Sequence, residues 1–356
     1  MPAAASDAPL TPTDGSNSVM QREPNSHHTG LDEIGIDEAK HSFVRIHAPS
    51  WCPRWMAWAT VTLCCSLFYI AAMATVFALA LTLCSPYYRY HGLGLLAVLG
   101  LLSVYPNKQW PALHSVLGAL WFDIFEMRAN VPRLQPGERY LFVIAPHGVF
   151  PFWSWSFSAY LHQLHPSLGN VGGGVASVLL RVPLMRQLCK WTGCMPASFG
   201  TLKRALTQRS QQLCPEGIAG IFDSEGNFCS DYQVLRLSNR KGFVKLACLT
   251  GAHIVPVYCF GTSDTFRLLR LPSALATLSR KLRVSLTIFC GRFGLPMPYP
   301  VRLTMSHGEV VRVPQTHEPT DELINQIHAQ VIHSLQQAFE AGKRPAGYPS
   351  QRLDVR

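Results

Sequence analysis

Apolar and polar residues divide the chain into three regimes. Residues 1–45 are rich in Ser, Pro, Asp, Asn and Thr and show no apolar periodicity, which predicts a disordered polar tail. Met56 to Cys84 then runs for 29 residues without a charge, more than the roughly 20 that a bilayer-spanning helix needs. It lies too far from the amino terminus, behind an acidic tail, to be a cleaved signal peptide. A polar patch, Ser85 to Tyr90, interrupts the run with tyrosines of the kind found at membrane interfaces. A second apolar stretch, Gly92 to Tyr105, ends at Pro106-Asn107-Lys108. It completes a hairpin by re-entry or by a thin span, and a buried core helix is the competing reading. Residues 46–108 are therefore expected to form a transmembrane hairpin.

From residue 109 the texture is that of a globular domain. Leu141 to Ile144 is an unbroken apolar run, the pattern of a strand buried on both faces. Further strands are predicted at Ile218–Phe222, Ile254–Phe260, 284–290 and 308–313. Helical patterns fall at about 176–190, 201–212 and 320–341, and another helix opens at Arg240-Lys241-Gly242-Phe243 and closes at Gly251. Gly172-Gly173-Gly174 lacks the Lys-Ser/Thr of a phosphate loop and reads as a turn. Phe150 to Tyr160 holds three phenylalanines, two tryptophans and a tyrosine, suited to the wall of an apolar tunnel, a lipid-facing helix or plain core. Strands alternating with helices indicate an α/β domain over 109–345, with 346–356 as a C-terminal tail.

Charge sharpens the division. The chain carries +10 overall, yet residues 1–40 hold seven acids against Arg22 and Lys40. The body is thus strongly basic, which suits phosphorylated ligands, nucleic acid or an acidic membrane face. Eleven cysteines, scattered without paired spacing, point to reduced thiols facing the cytosol. His162 and His165 stand three apart without further ligands, so no metal site is expected.

The densest chemistry lies at Tyr140 to Pro151, YLFVIAPHGVFP. Pro146 ends the buried strand and Gly148 permits a backbone geometry other residues resist. His147 thus stands at the carboxyl end of a strand, where open α/β sheets place their sites. A loop histidine without chemistry is the competing reading. Two further elements follow in order, Pro215-Glu216-Gly217 and Ile254-Val255-Pro256-Val257. No Gly-x-Ser-x-Gly nucleophile elbow occurs, which argues against a hydrolase.

Strand-end histidine, PEG turn and IVPV strand together resemble the glycerolipid acyltransferase pattern. The usual aspartate five residues after the histidine is absent, since position 152 is Phe. That departure is similar to the diacylglycerol O-acyltransferase type 2 family, with its monoacylglycerol and wax-alcohol relatives. The likeness extends through Asn239-Arg240-Lys241-Gly242-Phe243-Val244-Lys245-Leu246-Ala247, Gly251-Ala252, Val255-Pro256-Val257, Phe260-Gly261, Asp264 and Val313-Pro314-Gln315. It covers about residues 55–345. Two departures stand out. Ala145 occupies the place of the family's first motif residue, and Glu216 sits at a different offset from the family's glutamate.

The resemblance implies a membrane-anchored α/β protein, an N-terminal transmembrane hairpin followed by a glycerolipid-acyltransferase-like α/β catalytic domain. It implies acyl transfer from acyl-CoA, as co-substrate with no resident cofactor, to diacylglycerol or a related lipid. Monoacylglycerol and long-chain alcohols are the near alternatives, and a catalytically silent lipid-binding protein is the distant one. It also implies a multi-pass place in the endoplasmic reticulum membrane or on lipid droplets, and no nucleic-acid partner; homo-oligomerisation stays open. His147, flanked by Pro146 and Gly148, is the expected general base, because its pKa lies near neutrality. Glu216, Gly217, Arg240, Lys241, Gly242, Phe243 and Lys245 are the expected substrate-binding residues, the basic ones facing coenzyme A phosphates at a helix amino terminus.

Overall fold

The structure, a computed structural model, describes residues 43–130, 133–269 and 287–356. All but the last three residues of the expected polar tail lie outside it. The uncharged run folds as one helix, α1 (Arg54–Cys84), 31 residues long. Among the described helices it is the one long and apolar enough to cross a membrane. Its two halves differ. Ala57, Val61, Cys64 and Cys65 are packed into the main core, whereas Met73, Val76 and Leu83 of the second half are largely exposed.

A second helix, α2 (Arg89–Val104), folds back against α1. Gly92 makes the approach possible, since any Cβ there would overlap Ala78 and Thr82. At 16 residues α2 is about 24 Å long, short of a hydrocarbon core of about 30 Å. The expected two-span hairpin is thus one helix of spanning length and one that falls short. Arg186 closes the end of α2, donating to the carbonyls of Val104 and Tyr105.

The remaining helices are α3 (Pro111–Leu120), α4 (Trp153–Leu164), α5 (Met185–Trp191), α6 (Phe199–Leu206), α7 (Ile218–Asn227), α8 (Gly242–Thr250) and α9 (Asp321–Ala346). The strands are β1 (Val44–Arg45), β2 (Arg128–Ala129), β3 (Tyr140–Ala145), β4 (Gly172–Val175), β5 (Met195–Pro196) and β6 (Gln211–Leu213). They continue as β7 (Tyr232–Leu235), β8 (His253–Phe260), β9 (Arg267–Leu269), β10 (Ile288–Cys290), β11 (Thr304–His307) and β12 (Arg352–Val355). Eight of them form one sheet in the order β1-β2-β11-β8-β3-β6-β4-β5. From β8 to β5 every pairing is parallel.

All six residues of β3 are buried, which is why its sequence is apolar without alternation. Tyr140, Phe142 and Ile144 join the core with α1, α3 and α4. Leu141 and Val143 join a second core with α8 and α9. The domain is therefore a three-layer α/β sandwich with β3 at its centre.

Several expectations are corrected. Residues 218–222 belong to helix α7, not a strand; Ile218, Ile221 and Phe222 fit helical spacing as well as a buried run. The strand there is β6, hidden by its polar Gln211 and Gln212. Of 176–190 only the portion from Met185 is helical, after Pro183 and a left-handed Leu184. The glycine triplet is strand β4 rather than a turn, where Gly172 lies against Gln211 and Gly193. Residues 304–307 carry the strand expected at 308–313, and Val311 adds a single bridge to Ile254. Of 284–290, residues 284–286 lie outside the described part and the strand is β10. Residues 346–356 are no loose tail, because β12 pairs in parallel with β7, about 120 positions earlier. The helix expected at 320–341 runs further, to Ala346, capped by the Thr320 hydroxyl at its start and Gly347 at its end.

The bare second half of α1 gives a test. Alkaline carbonate and high salt are expected to leave the chain in the membrane pellet, with detergent releasing it. Release by salt alone would mean that another protein covers that apolar face.

Candidate functional site

Because β3 and β6 run parallel and adjacent, the loops leaving their carboxyl ends meet. The first carries His147 and the second carries Cys214 to Gly217, although the two lie 69 positions apart. Their meeting is specific. The His147 N–H donates to Glu216 Oε2 at 2.9 Å. The indole N–H of Trp153 donates to the His147 carbonyl at 3.2 Å. Both sides of the histidine's main chain are thereby held.

The ring is oriented as well. His147 Nδ1 lies 2.8 Å from the Gly148 carbonyl oxygen. A carbonyl can only accept, so Nδ1 carries the proton and Nε2 of the neutral ring is the basic nitrogen. Burial lowers the imidazole pKa, and the Gly148 carbonyl opposes this to a lesser degree. Neutral imidazole is the favoured form. Where an acidic partner would stand, Phe152 is stacked on Phe125 with centroids 4.6 Å apart, so the loop's own carbonyl orients the ring. Gly148 has φ +68°, and a Cβ there would collide with Thr262. Pro146, buried and joined by a cis bond to Ala145, begins the loop. Ala145 is fully buried in the core with Tyr258, Phe260 and Phe339.

Glu216 is 1% exposed. Its Oε2 receives the His147 N–H, its Oε1 the Arg236 N–H at 3.3 Å, and the Cys214 thiol lies 3.9 Å from Oε2. Burial raises its pKa to about 7, a shift that the two backbone donors moderate. This carboxyl braces the loop and is not among the residues that line the cavity described next. Gly217, at φ 57°, lets the chain turn into α7. The first turn of α7 then lies against His147, at Gly220, where a Cβ would crowd both His147 and Glu216.

A cavity of about 350 Å³ opens beside the histidine. His147, Val149, Trp153, Gln212, Gly217 and Ile218 are among its lining. Its walls are overwhelmingly apolar and reach α1 at Cys65 and Phe68. Phe150, Trp153 and Trp155 from the aromatic-rich stretch face it, while Phe157 and Tyr160 are core. Trp153 and Arg236 are the residues that sequence reasoning missed. The aromatic run was a signal for the first, but the second acts through its backbone, which no residue type announces.

The basic group lies elsewhere. Arg240, Lys241 and Lys245 are exposed around the start of α8, and none of them lines the cavity. Lys241 Nζ donates to Asn325 Oδ1 at 2.7 Å. Phe243 is buried in the core on the far face of β3, and Gly242 is the exposed first residue of the helix.

Comparison with known proteins bears on the same residues. A family model described as diacylglycerol acyltransferase matches residues 119–356. The Homo sapiens 2-acylglycerol O-acyltransferase 3 is 31% identical over 243 residues, covering 61% of this chain and 68% of that protein. The Danio rerio diacylglycerol O-acyltransferase 2 is 29% identical over 247 residues, covering 63% and 67%. Among solved structures, the Thermotoga maritima 1-acyl-sn-glycerophosphate acyltransferase PlsC overlays with a TM-score of 0.39 at 14% identity, over 78% of this chain and 96% of that one, too loosely to carry an argument.

The bracing role of Glu216 has two consequences. Glu216→Ala frees the histidine loop, and turnover of the reaction carried out here is expected to fall by about 10²-fold with substrate affinities little changed. Loss of one substrate's affinity with turnover intact would make Glu216 a binding residue instead. Between the ordinary value of 4.5 and about 7 the folded chain retains a proton that the unfolded chain has released. Stability should therefore fall as pH rises through that window, by on the order of 3 kcal/mol. In thermal melts Glu216→Gln, which cannot ionise, is expected to lose that fall.

Proposed function

The chain belongs to the diacylglycerol acyltransferase family, and from that premise we propose that it transfers a fatty acyl group from acyl-CoA to a glycerolipid hydroxyl, with diacylglycerol as acceptor and His147 as general base. The observation that carries this reading is the neutral, oriented imidazole opening onto an apolar cavity. The likeness to a 2-acylglycerol O-acyltransferase favours monoacylglycerol as a second acceptor. The exposed, apolar second half of α1 supports a membrane location, which we assign to the endoplasmic reticulum.

In the proposed reaction, Nε2 of His147 removes the acceptor's hydroxyl proton as the oxygen attacks the thioester carbonyl. A carbon–oxygen bond forms and the carbonyl oxygen becomes an oxyanion. Among the described residues no protein acceptor takes the Gly148 or Val149 N–H, so these two can donate to that oxyanion. Collapse breaks the carbon–sulfur bond. The coenzyme A thiolate departs with the proton that the imidazolium returns, and the ester remains. The apolar cavity receives the acyl chain, each buried methylene contributing about 0.8 kcal/mol. Arg240, Lys241 and Lys245 are proposed to meet the coenzyme A phosphates from outside the cavity.

His147→Ala is expected to lower ester formation by about 10²–10⁴-fold at unchanged protein level, in membranes free of other acyltransferases. His147→Gln should be nearly as inactive, since an amide cannot take the proton. Wild-type activity should rise with pH through an imidazole pKa below the ordinary 6.5 and level off by neutrality, because only the unprotonated ring is a base. Ester formation by His147→Ala at near wild-type rate would remove the histidine from the mechanism. No ester above background from the wild type would instead mark a silent lipid-binding protein.

The basic group has its own test. Arg240→Ala combined with Lys241→Ala removes two proposed phosphate contacts of roughly 1.5–3 kcal/mol each, so apparent affinity for acyl-CoA should weaken about tenfold or more. An equal loss for the lipid acceptor, with poor expression, would mark the pair as structural.

A further inference from the structure

The cavity is walled mainly by the sheet and the helices that follow its strands, and two further elements complete the wall. Cys65 and Phe68 come from α1, Phe289 comes from β10, and Thr287 immediately precedes that strand. β10 pairs with β9 in a separate two-stranded ribbon and shares no ladder with the main sheet. On the other side of these elements the surface is apolar and bare. Leu63 and Ile70 of α1 are exposed, and so are Ile288 and Leu269, which face each other across the ribbon.

Beside the cavity wall, Tyr69 joins α1 to β10. The Tyr69 hydroxyl accepts the Phe289 N–H at 3.0 Å and donates to the Phe289 carbonyl at 3.2 Å. The two rings lie 5.3 Å apart, tilted by 51°. Phe289 is backed by Phe266 at 4.8 Å, and Phe266 in turn by Phe152. The β10 side of the joint is thus anchored to the core. Further along, the Arg292 guanidinium lies over the Trp58 ring at 5.4 Å, a second tie between the ribbon's end and α1. Trp58 and Tyr69 are about three helical turns apart, roughly 16 Å, so the joint is pinned at both ends. The component free to yield is the Tyr69 phenol, through a rotamer change that needs no backbone movement.

We propose that the acceptor lipid reaches His147 laterally from the bilayer, between α1 and β10, and that Tyr69 governs this passage and its width. The proposal rests on the acyltransferase reading above and adds the route and the residue that selects among acceptors. A di- or monoacylglycerol is too apolar to travel through water at useful concentration, whereas the cavity walls and the exposed residues of α1 and β10 beside Tyr69 are apolar. Two neutral hydrogen bonds to one backbone residue hold the joint closed at rest and yield at modest cost. The joint discriminates by size, because a diacyl glycerol must pass two chains where a monoacyl glycerol passes one.

The test uses the full chain in lipid nanodiscs, with kcat and KM measured for acyl-CoA, diacylglycerol and monoacylglycerol. Tyr69→Ala is expected to raise the diacyl-to-monoacyl ratio of kcat/KM at least about threefold. Tyr69→Trp should lower it by a similar factor, and in both the KM for acyl-CoA should stay within about twofold of wild type. Tyr69→Phe, which keeps the ring and loses only the two hydrogen bonds, should shift the ratio in the direction of Tyr69→Ala. An unchanged ratio in all three variants, or a KM for acyl-CoA that moves in step with the acceptor's, would overturn the passage. So would a Tyr69→Phe identical to wild type beside a Tyr69→Ala that merely loses protein. A wild-type chain that forms no ester in the same nanodiscs takes away the acyltransferase reading and the passage together. A wild-type chain that does form ester, with an invariant ratio in the variants, takes away the passage alone.

Discussion

The main chain of one residue holds the site together. The His147 N–H is bound by the Glu216 carboxyl and its carbonyl by the Trp153 indole. Both partners are supplied by the same fact, that β3 is the central strand and its neighbour β6 runs parallel to it. Parallel strands end at the same edge, so the loops after β3 and β6 project side by side. The first leads into α4, which carries Trp153, and the second into α7, which packs Gly220 against the histidine. A shift of either strand by one residue would leave the His147 main chain unbraced.

The brace uses a buried carboxyl, which is expensive. Removing a charge from water disfavours the ionised form, and two backbone donors recover part of that loss. The balance leaves Glu216 with a pKa of about 7, so this residue is far less anionic at neutrality than an ordinary glutamate. Asp264 does similar work at another joint. Its carboxylate accepts the Cys229 N–H at 2.7 Å and the Tyr348 hydroxyl at 3.0 Å, tying the loop before β7 to the segment before β12. In both cases an acid serves as a connector between elements distant in sequence, and neither lines the cavity.

The two faces of β3 divide the labour. On the face with Phe142 lie α1, α4 and the aromatic side chains, and the apolar cavity is lined from that layer. On the face with Leu141 and Val143 lie α8 and α9, whose contribution is a conventional core. Phe243 belongs to this second layer, so the basic motif around it is fixed in place by packing on one side while its charges face solvent on the other. α1 joins the first layer through its amino half and leaves it through its carboxyl half. That is why one helix can both wall the cavity and expose an apolar surface.

Much of this was legible in the residues. An apolar run of four ending in Pro-His-Gly determined a buried strand with a histidine at its end, because no other element satisfies that pattern so near a proline. The uncharged 29-residue run determined α1, and the helical pattern at about 320–341 determined most of α9. Other features were decided by the tertiary structure. Residues 218–222 are apolar at a spacing that suits helix or strand, and the neighbouring β6 settled which, although its Gln211 and Gln212 look nothing like a core strand. Those glutamines are tolerated in β6 because Gln212 donates to the Ser154 and Val171 carbonyls. The role of Glu216 and the Tyr69–Phe289 joint were likewise invisible, since each depends on a main-chain group supplied by a distant residue. Side-chain chemistry is written in the sequence, but a backbone N–H is the same at almost every position, and only the fold decides which one a carboxyl or a phenol will meet.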